Sequence, residues 1–172
     1  MLDHSGSYYS TNDSGGAEFL WFYENVLAEA LAKTGAIFSD PENAWMFFVD
    51  APAGCNQLSG GGTSGIAIMD HNDFRGLVGN EFWDACTVQP NPSFTFTPQR
   101  WIGGQGHELG HVYGLPHPPG CDKGLPECDQ DALMWAGFFT GFPDDTYLRE
   151  EEKSHLISGS YVTDKMFSDG FE

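Results

Sequence analysis

The chain has 172 residues, 40% of them hydrophobic and 15% aromatic, and it carries 25 acidic against 7 basic side chains, a net charge of −18. This composition predicts one globular domain with its own core and excludes a disordered chain. The negative charge argues against nucleic acid or an anionic membrane as a partner, and no apolar run approaches the ~20 residues of a membrane span.

The first part of the chain predicts one helix and two strands. Residues 1–16 are polar and rich in Gly and Ser, which favours an irregular start. Residues 17–33 repeat apolar side chains every three or four positions, as an amphipathic helix does, and Gly35 is a fitting stop. We predict a strand buried on both faces over residues 44–50, then a flexible connection at Gly60-Gly61-Gly62 and a second strand over residues 64–70.

The segment Asp70-His71-Asn72-Asp73 resembles a metal-binding stretch, but its spacing matches neither a calcium loop nor a tetrahedral zinc set. We therefore predict a polar turn there, and a loop with at most a short strand over residues 74–83. A helix is expected to begin with Thr97 as its cap and Pro98 at its first position.

That helix contains three glycines, each of which costs about 1 kcal/mol relative to Ala in an exposed helix. They are Gly103, Gly104 and Gly106. Because glycine lets another backbone approach closely, we expect the helix to be buried under the sheet. The alternative, a phosphate-binding glycine loop, requires a Lys pattern that is missing from this stretch.

The eleven residues from His107 to His117 have the pattern H-E-x-x-H-x-x-G-x-x-H. On a helix, His107 and His111 stand one turn apart on one face, so both imidazoles can reach one Zn²⁺. Gly114 allows a sharp turn that returns His117 as a third ligand. Three protein ligands leave the fourth position open for water, as in catalytic zinc sites, and Glu108 is placed to hold that water.

Four cysteines in a small chain suggest two disulfides and an oxidising compartment. Residues 118–131 form a loop without a core of its own, and Cys121 and Cys128 enclose most of it. We pair these two, which leaves Cys55 with Cys86; the other pairings and reduced thiols stay open. The first residues lack the basic start and apolar core of a secretory signal, so we expect either that such a signal was removed or not included, or that the chain is intracellular.

The last part of the chain predicts one more helix, over residues 145–153, with Asp145 or Thr146 as its N-cap and acidic residues in its first turns. His155 is expected to be a partly buried helix residue and not a ligand. The tail, residues 158–172, is polar.

The histidine pattern matches the extended zinc signature of the metzincin metallopeptidases, so the chain resembles that superfamily. Ala132-Leu133-Met134 resembles its Met-turn, in which Met134 lies beneath the zinc ligands as a hydrophobic base without coordinating. An aromatic residue four positions later, here Phe138, is a matrixin feature. Pro118 instead resembles the serralysins, and Ala136 stands where astacins and serralysins carry a Tyr.

The resemblance implies an α+β fold: a twisted mixed β-sheet with a backing helix and an active-site helix, and a smaller irregular C-terminal subdomain that ends in a helix. The single domain, residues 1–172, would divide into subdomains of about 1–117 and 118–172. The strand over residues 64–69 would form the sheet edge above the cleft and bind the substrate backbone through Gly65, Ile66 and Ala67. Trp135 and Phe138 would wall the pocket after the scissile bond and favour apolar side chains.

The implied activity is that of a zinc-dependent endopeptidase with one catalytic Zn²⁺, a metal-activated water and Glu108 as general base and then general acid. Its substrate would be a protein or peptide, and the chain a monomer, secreted or periplasmic. Charge and family habit also suggest Ca²⁺. The alternatives are an aminopeptidase, a gluzincin with a Glu ligand among Glu150–Glu152, and a non-catalytic zinc module, against which Glu108 argues.

Overall fold

The computed structural model describes residues 2–79 and 98–159. Within these ranges the chain is an α+β structure with one three-stranded sheet and six α-helices, which confirms the predicted fold class. In chain order the elements are α1 (Gly6–Thr11), α2 (Trp21–Thr34), β1 (Trp45–Phe48), β2 (Gly60–Thr63), β3 (Ile66–Met69), α3 (His71–Leu77), α4 (Pro98–Val112), α5 (Phe138–Thr140) and α6 (Glu150–Ser158).

The sheet has the strand order β1-β3-β2 and is mixed, as predicted. β1 runs parallel to β3, with Trp45 opposite Ile66, and β2 runs antiparallel to β3, with Gly62 opposite Ala67. All four residues of β3 are buried because the strand has a neighbour on each side. β1 is paired on one side only, with β3, and is half-buried. The expectation of a strand buried on both faces is therefore wrong for residues 45–48.

The helices α2 and α4 cover opposite faces of this sheet. Phe22 and Val26 of α2 belong to one buried cluster with Ile68 of β3. On the other face, β2 approaches α4 so closely that a Cβ atom at Gly62 would overlap the main-chain carbonyl oxygen of Glu108. The backing helix is thus where the sequence predicts it, and Gly35 ends it with φ 73°.

Two segments predicted to be irregular are regular. Residues 6–11 form α1 because Tyr9 is buried against α2 and its hydroxyl donates to Glu29 Oε2 at 2.7 Å. The Gly60-Gly61-Gly62 stretch is strand β2, not a flexible connection. Pairing with β3 and the close approach of α4 require small residues there, which composition alone does not reveal.

The polar turn predicted at residues 70–73 is the start of helix α3. Asp70 caps this helix by accepting hydrogen bonds from the main-chain N–H groups of Asn72 and Asp73. The loop predicted from residue 74 is helical as far as Leu77. Capping by an aspartate one residue before the helix explains why the segment resembled a turn.

The last helix begins later than predicted. α6 starts at Glu150 with Arg149 as its N-cap, and the Glu152 carboxylate accepts the N–H of Arg149 at 2.7 Å. Neither Asp145 nor Thr146 caps it. His155 is exposed and not partly buried, although its Nε2 contacts the carbonyl oxygen of Tyr113 at 3.2 Å.

The disulfide between Cys121 and Cys128 is present, as predicted. The predicted partner of Cys55, Cys86, lies outside the described residues, as do the proposed cap Thr97 and the tail from residue 160, so those expectations stay predictions. In the described part of the chain, no helix combines the length and apolarity that crossing a bilayer requires.

Candidate metal centre

Helix α4 and the turn after it bring three imidazoles to one point. His107 and His111 stand one turn apart on α4, and Gly114, with φ 84°, reverses the chain so that His117 returns to them. The Nε2 atom of His111 lies 3.1 Å from the Nε2 atoms of both His107 and His117. The ligand atoms of the three residues all lie within 4.8 Å of one another, so together they could hold a metal ion.

The opposite ring nitrogen of each histidine has its own acceptor. His107 Nδ1 lies 2.8 Å from the carbonyl oxygen of Leu133, and His111 Nδ1 lies 2.8 Å from that of Leu115. His117 Nδ1 lies 2.6 Å from Oδ1 of Asp122. Since a carbonyl oxygen only accepts hydrogen bonds, Nδ1 carries the proton in the first two rings.

This tautomer decides what the centre can bind. A neutral ring protonated at Nδ1 presents the lone pair of Nε2, and these lone pairs converge without a donor among them. Burial lowers the pKa of His107 to about 4 and also lowers the pKa of His111, so both rings are neutral at pH 7. A cation can bind these lone pairs, and the three nitrogen atoms therefore fit a metal such as zinc.

The acidic residues of α6 do not join the three histidines. Among the described residues, the three histidines are the group of His, Cys, Asp and Glu side chains close enough to share an ion, and Glu150, Glu151 and Glu152 are not part of it. The ligand set expected of a gluzincin is therefore not assembled. The expectation of calcium stays a prediction.

Glu108 follows His107 on α4 and lies against strand β2 of the sheet. Its carboxylate accepts a hydrogen bond from the main-chain N–H of Gly62 in β2. The pKa of Glu108 is raised to about 7, mainly by burial and also by the negative charge of Asp73, while the Gly62 N–H and the Arg100 guanidinium oppose the shift. A carboxyl group with a pKa near neutrality is suited to accept and return a proton.

The sequence does not predict the partly buried ion pair that Arg100 and Asp73 form near Glu108. Arg100 Nη1 lies 3.3 Å from Asp73 Oδ1, and the guanidinium lies over the ring of Trp101 at 4.3 Å. Burial raises the pKa of Asp73 to about 7, against the opposing charge of Arg100. The two residues lie 27 positions apart, so only the packing of α3 on α4 brings them together.

Met134, predicted to be the base of a Met-turn, packs against helix α4; its family role stays a prediction. Met134 is fully buried, and a Cβ atom at Gly110 of α4 would overlap its Sδ atom. The neighbouring aromatic rings contact the ligands. The ring of Trp135 lies 5.0 Å from that of His117, and Phe138 lies 4.8 Å from His107, measured between centroids. These rings therefore pack against the imidazoles; their predicted role in a substrate pocket stays a prediction.

The strand that we expected to bind substrate lies in the centre of the sheet and not at its edge. Residues 66–69 form the central strand, so the expectation that this segment is the sheet edge is wrong. The N–H of Gly65 donates to Val112 O, its carbonyl accepts from Trp45 N, and Ile66 and Ala67 are fully buried. Among the strands of the described residues, β2 is the edge strand beside the histidines, and its glycines let it lie against α4.

The chain was compared with family models, curated proteins and solved structures, and none of them matches it. The functional argument therefore depends on the geometry of the residues themselves.

Proposed function

We propose that the chain is a zinc-dependent endopeptidase with a metzincin-like, matrixin-type arrangement of its site. One observation carries the proposal: His111 Nε2 lies 3.1 Å from the Nε2 atoms of both His107 and His117, and Glu108, the residue after His107, is a buried carboxylate held by the N–H of Gly62 in β2. Three imidazole ligands and a carboxylate in the adjoining position of the helix are the residue types of a catalytic zinc site.

The residues His107, His111 and His117 would hold the ion, and the protein leaves the remaining position to water or substrate. When bound, zinc acts as a Lewis acid that polarises a carbonyl group and lowers the pKa of water towards ~7. Imidazole also suits copper, iron and nickel, so the ligand set alone does not select zinc among them. The proposed peptidase activity favours zinc among these metals, because a redox-inert ion supports hydrolysis.

Glu108 would move the proton. It takes a proton from the attacking water and later returns it to the leaving amine as the peptide bond breaks. The raised pKa of Glu108, due mainly to burial, supports both roles because the group can exist in either protonation state near neutral pH. A site with a purely structural metal has no use for this carboxylate.

The edge of β2 would bind the substrate backbone. Asp70 N donates to Ser59 O, so the alternation of antiparallel pairing turns the main-chain groups of Gly60 and Gly62 away from β3. The Gly62 N–H already donates to Glu108, so an extended peptide would add as a further strand through the main-chain groups of Gly60 and the carbonyl oxygen of Gly62, which places its bonds next to Glu108. This proposal replaces the role expected for Gly65, Ile66 and Ala67.

A secreted or periplasmic location is part of the proposal. The Cys121–Cys128 disulfide supports it, because disulfides persist in oxidising compartments. The expected monomeric state and the division into two subdomains stay predictions.

The deciding experiment is mass spectrometry of an N-terminally blocked peptide library after incubation with the purified protein. Parallel samples contain a chelator, the Glu108→Ala variant, or the Glu127→Gln variant, which removes an exposed carboxylate elsewhere. We expect internal cuts that disappear with chelator and with Glu108→Ala while the zinc content of that variant is retained, and cuts unchanged in Glu127→Gln.

Other outcomes separate the alternatives. Cleavage only of unblocked peptides, one residue at a time, would indicate an aminopeptidase. One zinc per chain without any cleavage would favour the non-catalytic module, and internal cleavage at wild-type rate by Glu108→Ala would rule out the assignment of the base.

A further inference from the structure

The three ligands are not held in the same way. His107 and His111 are oriented by main-chain carbonyl oxygens, those of Leu133 and Leu115, and both residues lie within the packing of α4. His117 is oriented by a side chain, with its Nδ1 2.6 Å from Oδ1 of Asp122. The third ligand therefore depends on a group that can move independently of the main chain next to the ligand.

Asp122 is poorly suited to this task by itself. Its side chain is 70% exposed, and water competes with the hydrogen bonds of exposed carboxylates. A hydrogen bond as short as 2.6 Å at an exposed position requires that the main chain of Asp122 be held in place. The neighbouring residue provides that restraint, because Cys121 is buried and is bonded to Cys128.

The loop around Asp122 is built to hold it. Residues Cys121–Lys123 form a single 3₁₀ turn, flanked by Gly120 with φ 83° and Gly124 with φ 63°. The N–H of Cys121 donates to Pro118 O at 3.2 Å, and that of Cys128 donates to Leu125 O at 3.0 Å. The disulfide thus fixes a compact turn immediately after the third ligand, and Asp122 projects from it towards His117.

We propose that Asp122 is the positioning residue of His117 and that the loop closed by Cys121–Cys128 holds it in place, so that this loop sets the metal affinity of the centre. A carboxylate that accepts the Nδ1 proton fixes the ring's tautomer and orientation and makes Nε2 a better ligand. The loss of such a partner typically weakens metal binding about 10- to 100-fold. This inference depends on the metal binding that the proposed function requires.

The test measures the zinc affinity of the chelator-stripped protein by competition with a chromophoric chelator. The variants are Asp122→Ala, Asp122→Asn, the double substitution Cys121→Ser with Cys128→Ser, and the control Glu127→Gln, an exposed acid of the same loop. Circular dichroism checks that each variant is folded. ¹⁵N chemical shifts of the imidazoles report the tautomer of His117 in the metal-free protein, which a merely structural role of Asp122 would leave unchanged.

We expect Asp122→Ala to weaken zinc binding about 10- to 100-fold and Asp122→Asn to weaken it less, since the amide oxygen still accepts a hydrogen bond without the charge. Glu127→Gln should bind zinc as the wild type does. The double serine variant should lose affinity as well, and adding Asp122→Ala to it should cause little further loss, because both changes remove the same interaction.

The outcomes distinguish this inference from the proposed function. Wild-type zinc affinity in Asp122→Ala, with peptide cleavage intact, overturns the inference and leaves the peptidase standing. Weakened zinc binding in the Asp122 variants of a protein that cuts no peptide supports the inference and overturns the peptidase. A wild-type protein that binds no zinc overturns both. Fully additive losses in the combined variant would show that the disulfide does not act through Asp122.

Discussion

Met134 occupies the space that a side chain at Gly110 would need, directly below the turn of α4 that carries the ligands. An ideal Cβ at Gly110 would overlap Met134 Sδ, and Met134 is fully buried, so it has little room to withdraw. Gly106 lies one turn earlier on the same helix, and its nearest neighbour would be a Leu133 methyl carbon at 3.7 Å, an ordinary contact. A side chain is therefore excluded at Gly110 by Met134, whereas Gly106 has room for one.

We predict opposite effects of alanine at these two positions. Gly106→Ala should stabilise the protein by about 1 kcal/mol, the usual gain in helix propensity. Gly110→Ala gains the same propensity but should be destabilised overall, since overpacking a filled core costs about 1–3 kcal/mol. Denaturant unfolding of the two variants and the wild type measures the difference. Equal stabilisation by both changes would show that Met134 does not pack against Gly110.

The edge strand offers a second pair of variants. Gly62→Ala should force β2 away from Glu108, and a displacement of about 1 Å can lower the rate on the order of 100-fold. Gly60→Ala should change kcat/KM by less than about threefold, because its nearest neighbours would lie at 3.6 Å. The measurement is kcat/KM for a blocked peptide, with the zinc content determined in parallel. A fully active Gly62→Ala would show that β2 does not set the geometry of the site.

The pH dependence of cleavage should report Glu108. Burial raises its pKa from 4.5 to about 7 without a bound ion, and a cation nearby lowers it again, so we expect the acid limb of kcat/KM between these values. The carboxylate of Asp73 is a further cause of the raised pKa. Removing this like charge with Asp73→Asn should therefore lower the pKa and move the acid limb to lower pH.

The control for this shift is Glu127→Gln, which removes a charge elsewhere and should leave the limb in place. Asp73→Asn also leaves the partly buried Arg100 without its ion pair, so unfolding must be measured to show that the variant is folded under the assay conditions. A limb that moves to higher pH would contradict the electrostatic role of Asp73.

The metal-free protein should lose stability in acid through His107. Burial lowers its pKa from 6.5 to about 4 in the folded state, so the unfolded chain binds the proton first. Stability from the neutral ring is complete above pH 6.5 and is lost as the pH falls towards 4. Between pH 7 and pH 5 this loss is roughly 2 kcal/mol for His107 alone.

The check is denaturant unfolding at both pH values, with chelator present, for the wild type and for His107→Gln. The wild type should lose more stability on acidification than the variant, because the amide does not titrate. Equal losses in both proteins would show that His107 is not buried as a neutral ring.

The spacing of the histidines was enough to predict the metal centre. A helix brings His107 and His111 to one face wherever it is placed, and Gly114 allows the reversal that returns His117. The disulfide Cys121–Cys128 and the backing helix α2 were predictable for the same reason, since both depend on residues close in sequence. Helical periodicity and short separations along the chain are thus enough to predict these three features.

The edge strand and the Asp73–Arg100 pair were decided by tertiary structure, whereas the Asp122–His117 contact joins residues close in sequence within the loop closed by the disulfide. The three glycines at residues 60–62 have low strand propensity, and only pairing with β3 and the approach of α4 make the segment a strand. Asp73 meets Arg100 across 27 residues because α3 packs on α4. The sequence by itself therefore determined which side chains can bind a metal, whereas packing between distant segments decided which groups surround them and orient them.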